Sequence, residues 1–289
     1  MDGVGVRRPP AALLELARAA LLEDVGRGDV TSRVTVGEEA RARARFVARE
    51  ELVVSGMEAA RAVFFEAGGE EVGFTVFARE GDLAPAGSVL AEAEGSARLI
   101  LAAERVALNL VMRLSGIATF TSRYVEAVAG TGAVITDTRK TTPGLRLLEK
   151  AAVRAGGGTN HQAGLDDGVL IKDNHLALAG GVTEAVHRAR ANAPHLLKVE
   201  VEVESLAMLE EAIDAGVDAV LLDNMTPEEV REAIRFARRS RPDLLVEVSG
   251  GVNLQTVRAY AEAGPDLISV GALTHSTPAA DVSLELEPC

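Results

Sequence analysis

The sequence predicts an α/β protein in which a small N-terminal α+β domain precedes a barrel of parallel strands. Three patterns predict it. From Thr131 onward, short apolar strands alternate with helical segments. Later strand ends fall at Glu202, Asp223, Ser249 and Gly271, which are 21, 26 and 22 residues apart; that step is the length of a βα unit, so the strands run parallel. Finally, Lys198, Glu200 and Glu202 alternate with Val199, Val201 and Val203. A doubly wound sheet is covered by helices on both faces and reads apolar on both. A charged face backed by an apolar one suits a barrel whose interior turns polar towards its active end. No G-x-G-x-x-G follows a first strand, which removes the main support for a dinucleotide-binding sheet.

Taken in order, Pro9–Glu23 has helical spacing, with Leu13, Leu14, Ala17 and Leu21 on one face. The stretch LLEDVGRGDVTS reads as a loop in which Asp29, Thr31 and Ser32 are turn or cap residues. Arg41–Arg49 alternates Ala42, Ala44, Phe46 and Ala48 with arginines, the pattern of an antiparallel strand wet on one side. The arginine row is a solvated sheet face rather than a polyanion patch. Met57–Ala67 is a helix, Val72–Ala78 a strand, and GDLAPAGSVLAEAEG is hairpin material. A long helix starts with Ser96 as its N-cap and runs through Val111 towards Val128. Arg105, Asn109 and Arg113 make a polar stripe along it, either a solvent face or a surface reaching a subunit contact or a site.

The barrel strands are expected at Ala133–Thr136, Gly168–Ile171, Leu197–Val203, Ala219–Leu222, Leu244–Val248 and Leu267–Val270. Thr226-Pro227-Glu228-Glu229 is a capping box with proline at the first helical position. Ser205 and Asn253 are expected to cap two more helices, with Gly216 and Gly264 as stops. Asp281–Glu287 alternates like a strand returning to the first domain. The expected domains are therefore 1–112 joined by 276–289, and 113–275.

With 289 residues and 47% apolar content, the chain can bury a substantial core. No apolar run is long enough for a membrane span, and Met1–Pro10 lacks the apolar core of a signal peptide. The single cysteine is Cys289, so no intramolecular disulfide forms, and a cytoplasmic location is expected. A net charge of −13 argues against nucleic acid as a partner. Only four lysines, Lys140, Lys150, Lys172 and Lys198, stand against 26 arginines, and three of them lie on or just beyond predicted strands. Lysine is a compact point charge where arginine is a planar fork, so the choice of lysine there suggests a site.

The C-terminal strand ends collect Asp137, Arg139, Lys140, Lys172, Glu202, Asp223, Ser249 and Gly271, with His161 in a connecting loop. Each residue alone is weak evidence, but in parallel βα folds these ends form the site. Several cations gathered in an acidic protein imply a strongly anionic small ligand. SGG (Ser249–Gly251) and SVGA (Ser269–Ala272) follow the last two strands and offer backbone N–H groups for phosphate near helix starts. Glu202 and Asp223 could hold a divalent cation directly or through water, bond ribose hydroxyls, or stabilise developing positive charge. No H-E-x-x-H, cysteine pair, G-x-S-x-G elbow or P-loop lysine is present.

The motifs LLEDVGRGDVTS, AERVALNLVMRLSGIAT, TDTRKTTPGLR, GGGTNHQAGLDDGVLIKDNH, VEVEVES, VLLDN, VEVSGGVN and SVGALTHS occur in order along nearly the whole chain. Together they resemble the quinolinate phosphoribosyltransferase family. The resemblance implies an N-terminal α/β sandwich domain beside an open α/β barrel of parallel strands, working as a homodimer or higher even oligomer. It implies phosphoribosyl transfer from phosphoribosyl pyrophosphate to quinolinate, with Mg²⁺, giving nicotinate mononucleotide, pyrophosphate and CO2. Arg105 would then enter the neighbouring subunit's site and, with Arg139, His161 and Lys172, clamp the two pyridine carboxylates. Lys140 and the turns Ser249-Gly250-Gly251 and Val270-Gly271-Ala272 would hold phosphates. Thr138, Gln162 and His275 would line the same site, and Lys140, Glu202 and Asp223 would be catalytic, the two acids also serving the metal.

One position departs from the pattern. The family usually has Asn-His-Arg where this chain reads Asn160-His161-Gln162, so an arginine fork becomes a neutral amide. That departure keeps open a relative of the same fold associated with molybdenum uptake. A non-catalytic sensor would need no paired acids. A lyase using Lys172 as a Schiff base would need a desolvated lysine, which the surrounding charge disfavours.

Overall fold

The computed structural model describes residues 8–289; most of the segment read for a signal peptide, residues 1–7, lies outside them. Contacts divide the chain into two compact units. The first runs to Phe120 and takes in Arg154–Gly157 and Thr277–Cys289; the second comprises Thr121–Val153 and Gly158–Ser276.

In the first unit, helix α1 (Ala11–Val25) is followed by a short helix α2 (Val30–Thr35). The DVTS stretch was expected to be a loop. Asp29 accepts a hydrogen bond from Ser32 N at 3.0 Å and so starts one helical turn and a half. Strands β1 (Arg41–Ala48) and β2 (Leu52–Val53), helix α3 (Met57–Gly68), strands β3 (Val72–Val76), β4 (Leu83–Ala84) and β5 (Val89–Ser96) follow, and then the long helix α4 (Ala97–Ala127). The antiparallel sheet has the order β12-β1-β5-β3, where β12 is Val282–Pro288, the expected returning strand. Its inner face, Ala42, Ala44, Phe46 and Ala48, is buried, and Phe46, Phe64 and Phe74 cluster against it. On the other face the arginines pair across strands, Arg43 with Glu94 at 3.0 Å, Arg45 with Glu92 at 3.0 Å and Arg49 with Glu285 at 2.6 Å. These cross-strand pairs neutralise the row and make it a sheet face, as its spacing implies.

The second unit carries six parallel strands: β6 (Val134–Thr136), β7 (Val169–Ile171), β8 (Val199–Val203), β9 (Ala219–Asp223), β10 (Leu245–Ser249) and β11 (Leu267–Ser269). Between them lie α5 (Arg146–Ala155), α6 (Asp173–Ala179), α7 (Val182–Asn192), α8 (Leu206–Asp214), α9 (Pro227–Ser240) and α10 (Val257–Glu262), and α11 (Ala272–His275) follows the last. The sheet order is β6-β11-β10-β9-β8-β7. The chain therefore advances one strand at a time without reversing, and its first strand pairs with its last. That winding is a barrel, open between β6 and β7, where a single bridge joins Thr136 to Thr159. Val199, Val201 and Val203 are buried under the helices, which turns Glu200 and Glu202 to the interior.

The capping signals fall as their chemistry predicts at α8, where Ser205 accepts from Met208 N, and at α9, where Thr226 and Glu229 bond reciprocally. Asn253 does not cap a helix. Its Oδ1 accepts from Gln255 N and Thr256 N, a local turn that competes with helix, and α10 begins only at Val257. The SGG segment accordingly forms a free-standing turn rather than a helix start.

Candidate active site

The strand ends of the barrel surround a cavity of about 720 Å³. Thr138, Arg139, Lys140, His161, Gln162, Lys172, Glu202, Asp223, Ser249, Gly250 and Gly251 line it, so eleven residues from six separate segments meet. Val270, Gly271, Ala272 and His275 are not among its walls. The Val270 N–H is committed to Thr136 O at 3.0 Å, which corrects the expectation that it holds phosphate. Gly271 lies instead against Lys140, whose Cδ would be 3.1 Å from a Cβ placed there. Arg105 is exposed on α4 in the first unit.

A buried ionic hub sets the two loops that carry the cations. Asp137 is fully buried and accepts from Lys150 Nζ at 2.5 Å, Asn160 Nδ2 at 2.7 Å and His161 N at 2.8 Å. Lys150, 2% exposed on α5, also donates to His161 O at 3.1 Å. Asp137 was counted among the residues of the mouth; its three partners make it the post to which segments 137–140 and 160–162 are tied. With Asp137 anchored, Arg139 and Lys140 turn outward, and Thr274 Oγ1 donates to Lys140 O at 2.8 Å. Lys150 is the one lysine of the four not expected on or just beyond a strand, and nothing in its helical spacing marks it as Asp137's partner.

Arg139 Nη1 donates to Gln162 Oε1 at 3.4 Å, while Gln162 Nε2 donates to Gly168 O at 3.3 Å. The neutral amide thus orients the Arg139 fork. Lys172 forms a close ion pair with Glu202, which is 9% exposed. Across the adjacent strand, burial and then the charge of Glu202 push the Asp223 carboxyl above its ordinary range. Two hard oxygen donors that repel one another on neighbouring strands fit a divalent cation such as Mg²⁺. Asn224, in the left-handed region at φ 55, donates to Asp223 Oδ2 at 2.5 Å. Gly250 (φ 90) must be glycine, because a Cβ would stand 2.3 Å from Asn224 Oδ1. The backbone of the SGG turn is thereby brought to the cavity wall.

Three polar wall residues were not among the expected site residues, His175, Asn224 and Glu247; Ser269 comes from the SVGA segment, and Leu165, Leu170 and Leu221 complete the wall. Glu247 sits one layer below Ser249 on β10, as Glu200 sits below Glu202 on β8, and His161 reaches both. His161 Nε2 is 3.4 Å from Glu200 Oε2 and 3.5 Å from Glu247 Oε2. These three groups lie within 4.8 Å of one another, a spacing that a metal could use. The proton placement opposes that reading. Gln162 N donates to His161 Nδ1 at 2.8 Å, so the ring proton belongs on Nε2, the atom that faces the acids. Both ring nitrogens thus face protein groups, while His161 also lines the cavity. The bond to Glu200, then the charges of Glu247 and Glu200, hold the His161 imidazole above its ordinary value against burial and the charge of Lys150; the Gln162 N–H on Nδ1 favours the neutral ring.

An acidic pair and three cations at the C-terminal ends of a βα barrel define an enzyme site for small, multiply anionic substrates. The chain belongs to the quinolinate phosphoribosyltransferase family. Residues 29–115 match the family model for the quinolinate phosphoribosyl transferase N-terminal domain, and residues 117–285 match that for the C-terminal domain. A probable carboxylating nicotinate-nucleotide pyrophosphorylase of Bacillus subtilis is 43% identical over 95% of this chain and 93% of its own length. The carboxylating nicotinate-nucleotide pyrophosphorylase of Mycobacterium leprae is 43% identical over 95% and 97%. A solved structure of NadC from Streptococcus pyogenes superposes with a TM-score of 0.91 at 40% identity, covering 98% of this chain and 99% of that one.

Proposed function

We propose that this chain transfers phosphoribosyl from phosphoribosyl pyrophosphate to quinolinate with decarboxylation, giving nicotinate mononucleotide, pyrophosphate and CO2, a step of NAD biosynthesis. The observation that carries this reading is the meeting of Arg139, Lys140, Lys172, Glu202 and Asp223 in one cavity, in a chain of this family. Neither the family models nor the relatives above favour the molybdenum-uptake reading.

In this reading Arg139, oriented by Gln162, and Lys172 take the two pyridine carboxylates. Lys140 and the Ser249–Gly251 turn take the phosphates. The ring nitrogen attacks the anomeric carbon as pyrophosphate leaves, and Glu202 with Asp223 stabilises the positive charge that develops on the ribose. CO2 then departs from C2, since the cationic ring accepts the electron pair. Mg²⁺ bound by Glu202 and Asp223 would neutralise the leaving pyrophosphate. Lys172 is already paired with Glu202, so Glu202 would reach the metal through its other oxygen or through water. A homodimer that lends Arg105 to the neighbouring site, and a cytoplasmic location, complete the proposal. Among the described residues, no helix is long and apolar enough to cross a membrane.

Incubation with quinolinate, phosphoribosyl pyrophosphate and Mg²⁺ should release CO2 and nicotinate mononucleotide, and nicotinate in place of quinolinate should give no product. Turnover of nicotinate at a similar rate would show that the second carboxylate is not read. Gln162→Arg adds a cation where the substrate supplies two negative charges, so the quinolinate KM should stay the same or fall. A rise in KM would mean that the amide's hold on Arg139 outweighs the added charge.

A further inference from the structure

The mouth holds an acid that takes no part in the phosphoribosyl transfer itself. Glu247 is 1% exposed, lines the cavity, and has no hydrogen-bond partner for either carboxylate oxygen. A buried carboxylate without donors is costly as an anion and favourable as a neutral acid. Of the groups around it, Glu200 faces it from β8 and opposes its charge, whereas His161 from the loop before β7, Ser269 from β11 and Lys172 from the end of β7 favour the anion and only partly offset burial. From β9 its register partner is the apolar Leu221. Burial first, and then the charge of Glu200, raise the Glu247 carboxyl to about 7. A substantial fraction of this carboxyl is thus protonated near neutrality, beside a site that needs a proton because decarboxylation leaves an electron pair on the ring carbon.

We propose that Glu247 is the acid that protonates C2 of the pyridine ring as CO2 leaves, with His161 as the positioning residue beside it. The inference rests on the function proposed above. As the bond from C2 to its carboxylate breaks, CO2 departs and the electron pair stays on C2 next to the cationic ring nitrogen. The O–H bond of Glu247 then breaks as the C2–H bond forms, leaving a Glu247 carboxylate. His161 Nε2–H, 3.5 Å away, bonds to that carboxylate, and water entering as product departs returns the proton.

The test follows the two halves of the reaction separately. In a single turnover with carboxyl-labelled quinolinate, phosphoribosyl pyrophosphate and Mg²⁺, pyrophosphate and CO2 are quantified side by side. Glu247→Gln should release pyrophosphate within about threefold of the wild-type rate but form CO2 and nicotinate mononucleotide about a hundredfold more slowly, so that the N-ribosylated dicarboxylate accumulates. Equal slowing of both products, or slowing of neither, would overturn the assignment. The wild-type protein supplies an arm that needs no variant. Its CO2 step should fall as pH rises through about 7, where the acid loses its proton, while pyrophosphate release does not. A CO2 step independent of pH there would overturn it as well. Wild-type protein forming neither product would remove the parent function, and this inference with it.

Discussion

Asp223→Ala should lower kcat by roughly 10²–10³-fold, the usual loss when one preorganised group facing transition-state charge is removed. Lys140→Ala should have a comparable effect by releasing the phosphates. Asp223 is half-buried at the end of β9, next to Glu202. Its carboxylate is therefore oriented before any charge develops, and no solvent has to reorganise around it. The neighbouring acid sets a pH signature. Because the Asp223 carboxyl lies above its ordinary range and acts as the anion, kcat/KM should fall as pH drops through that raised value. Steady-state rates at saturating substrates, with circular dichroism to confirm folding, check the prediction. An alanine variant within threefold of wild type would mean the acid pair is not part of the chemistry, as a rough threshold well inside the expected loss.

Lys150→Met should be the most destabilising change at this end of the barrel. The substitution strands the fully buried Asp137 without its cation, although Asn160 Nδ2 and His161 N still donate to it. Removing one partner of a buried pair costs about 3–5 kcal/mol, and the two remaining donors place this case near 3. The thermal midpoint of the barrel unit should drop by roughly 6–12 °C. Adding Asp137→Asn removes the stranded charge and should restore part of the loss. An unchanged midpoint in Lys150→Met would show that the pair contributes nothing. Activity should also fall, since Asp137 anchors both the Arg139–Lys140 segment and the His161–Gln162 segment.

What the sequence made legible was periodic. The βα step placed Glu202, Asp223 and Ser249 at one end, and the alternation in VEVEV separated the interior acids from the outer valines. Contacts made by single side chains were not legible. Asp137 follows an apolar strand just as Asp223 does, and only burial separates an anchor from a site residue. Lys150 occupies an ordinary helical position, and its partner is thirteen residues away in sequence on another element. Glu247 hid inside VEVS, where one charged residue in an apolar strand reads as an inward polar side chain with no stated partner. The α2 helix was missed because six residues carry too little periodicity to outweigh the glycines before them. Asn253 reads as a cap because the same side chain that caps a helix also closes a local turn.

The strand pairings also dictate an order of assembly. Val134 pairs with Leu267, and Ala42 pairs with Pro288. A chain emerging from the ribosome must therefore hold β1 without the neighbour β12 gives it, and β6 without β11, until the final strands are synthesised. Exposed edges of this kind invite pairing with other nascent chains. A premature stop before Leu267 would leave both sheets unfinished at once, so truncations near the C-terminus should be lost to aggregation and proteolysis rather than yield partly active protein.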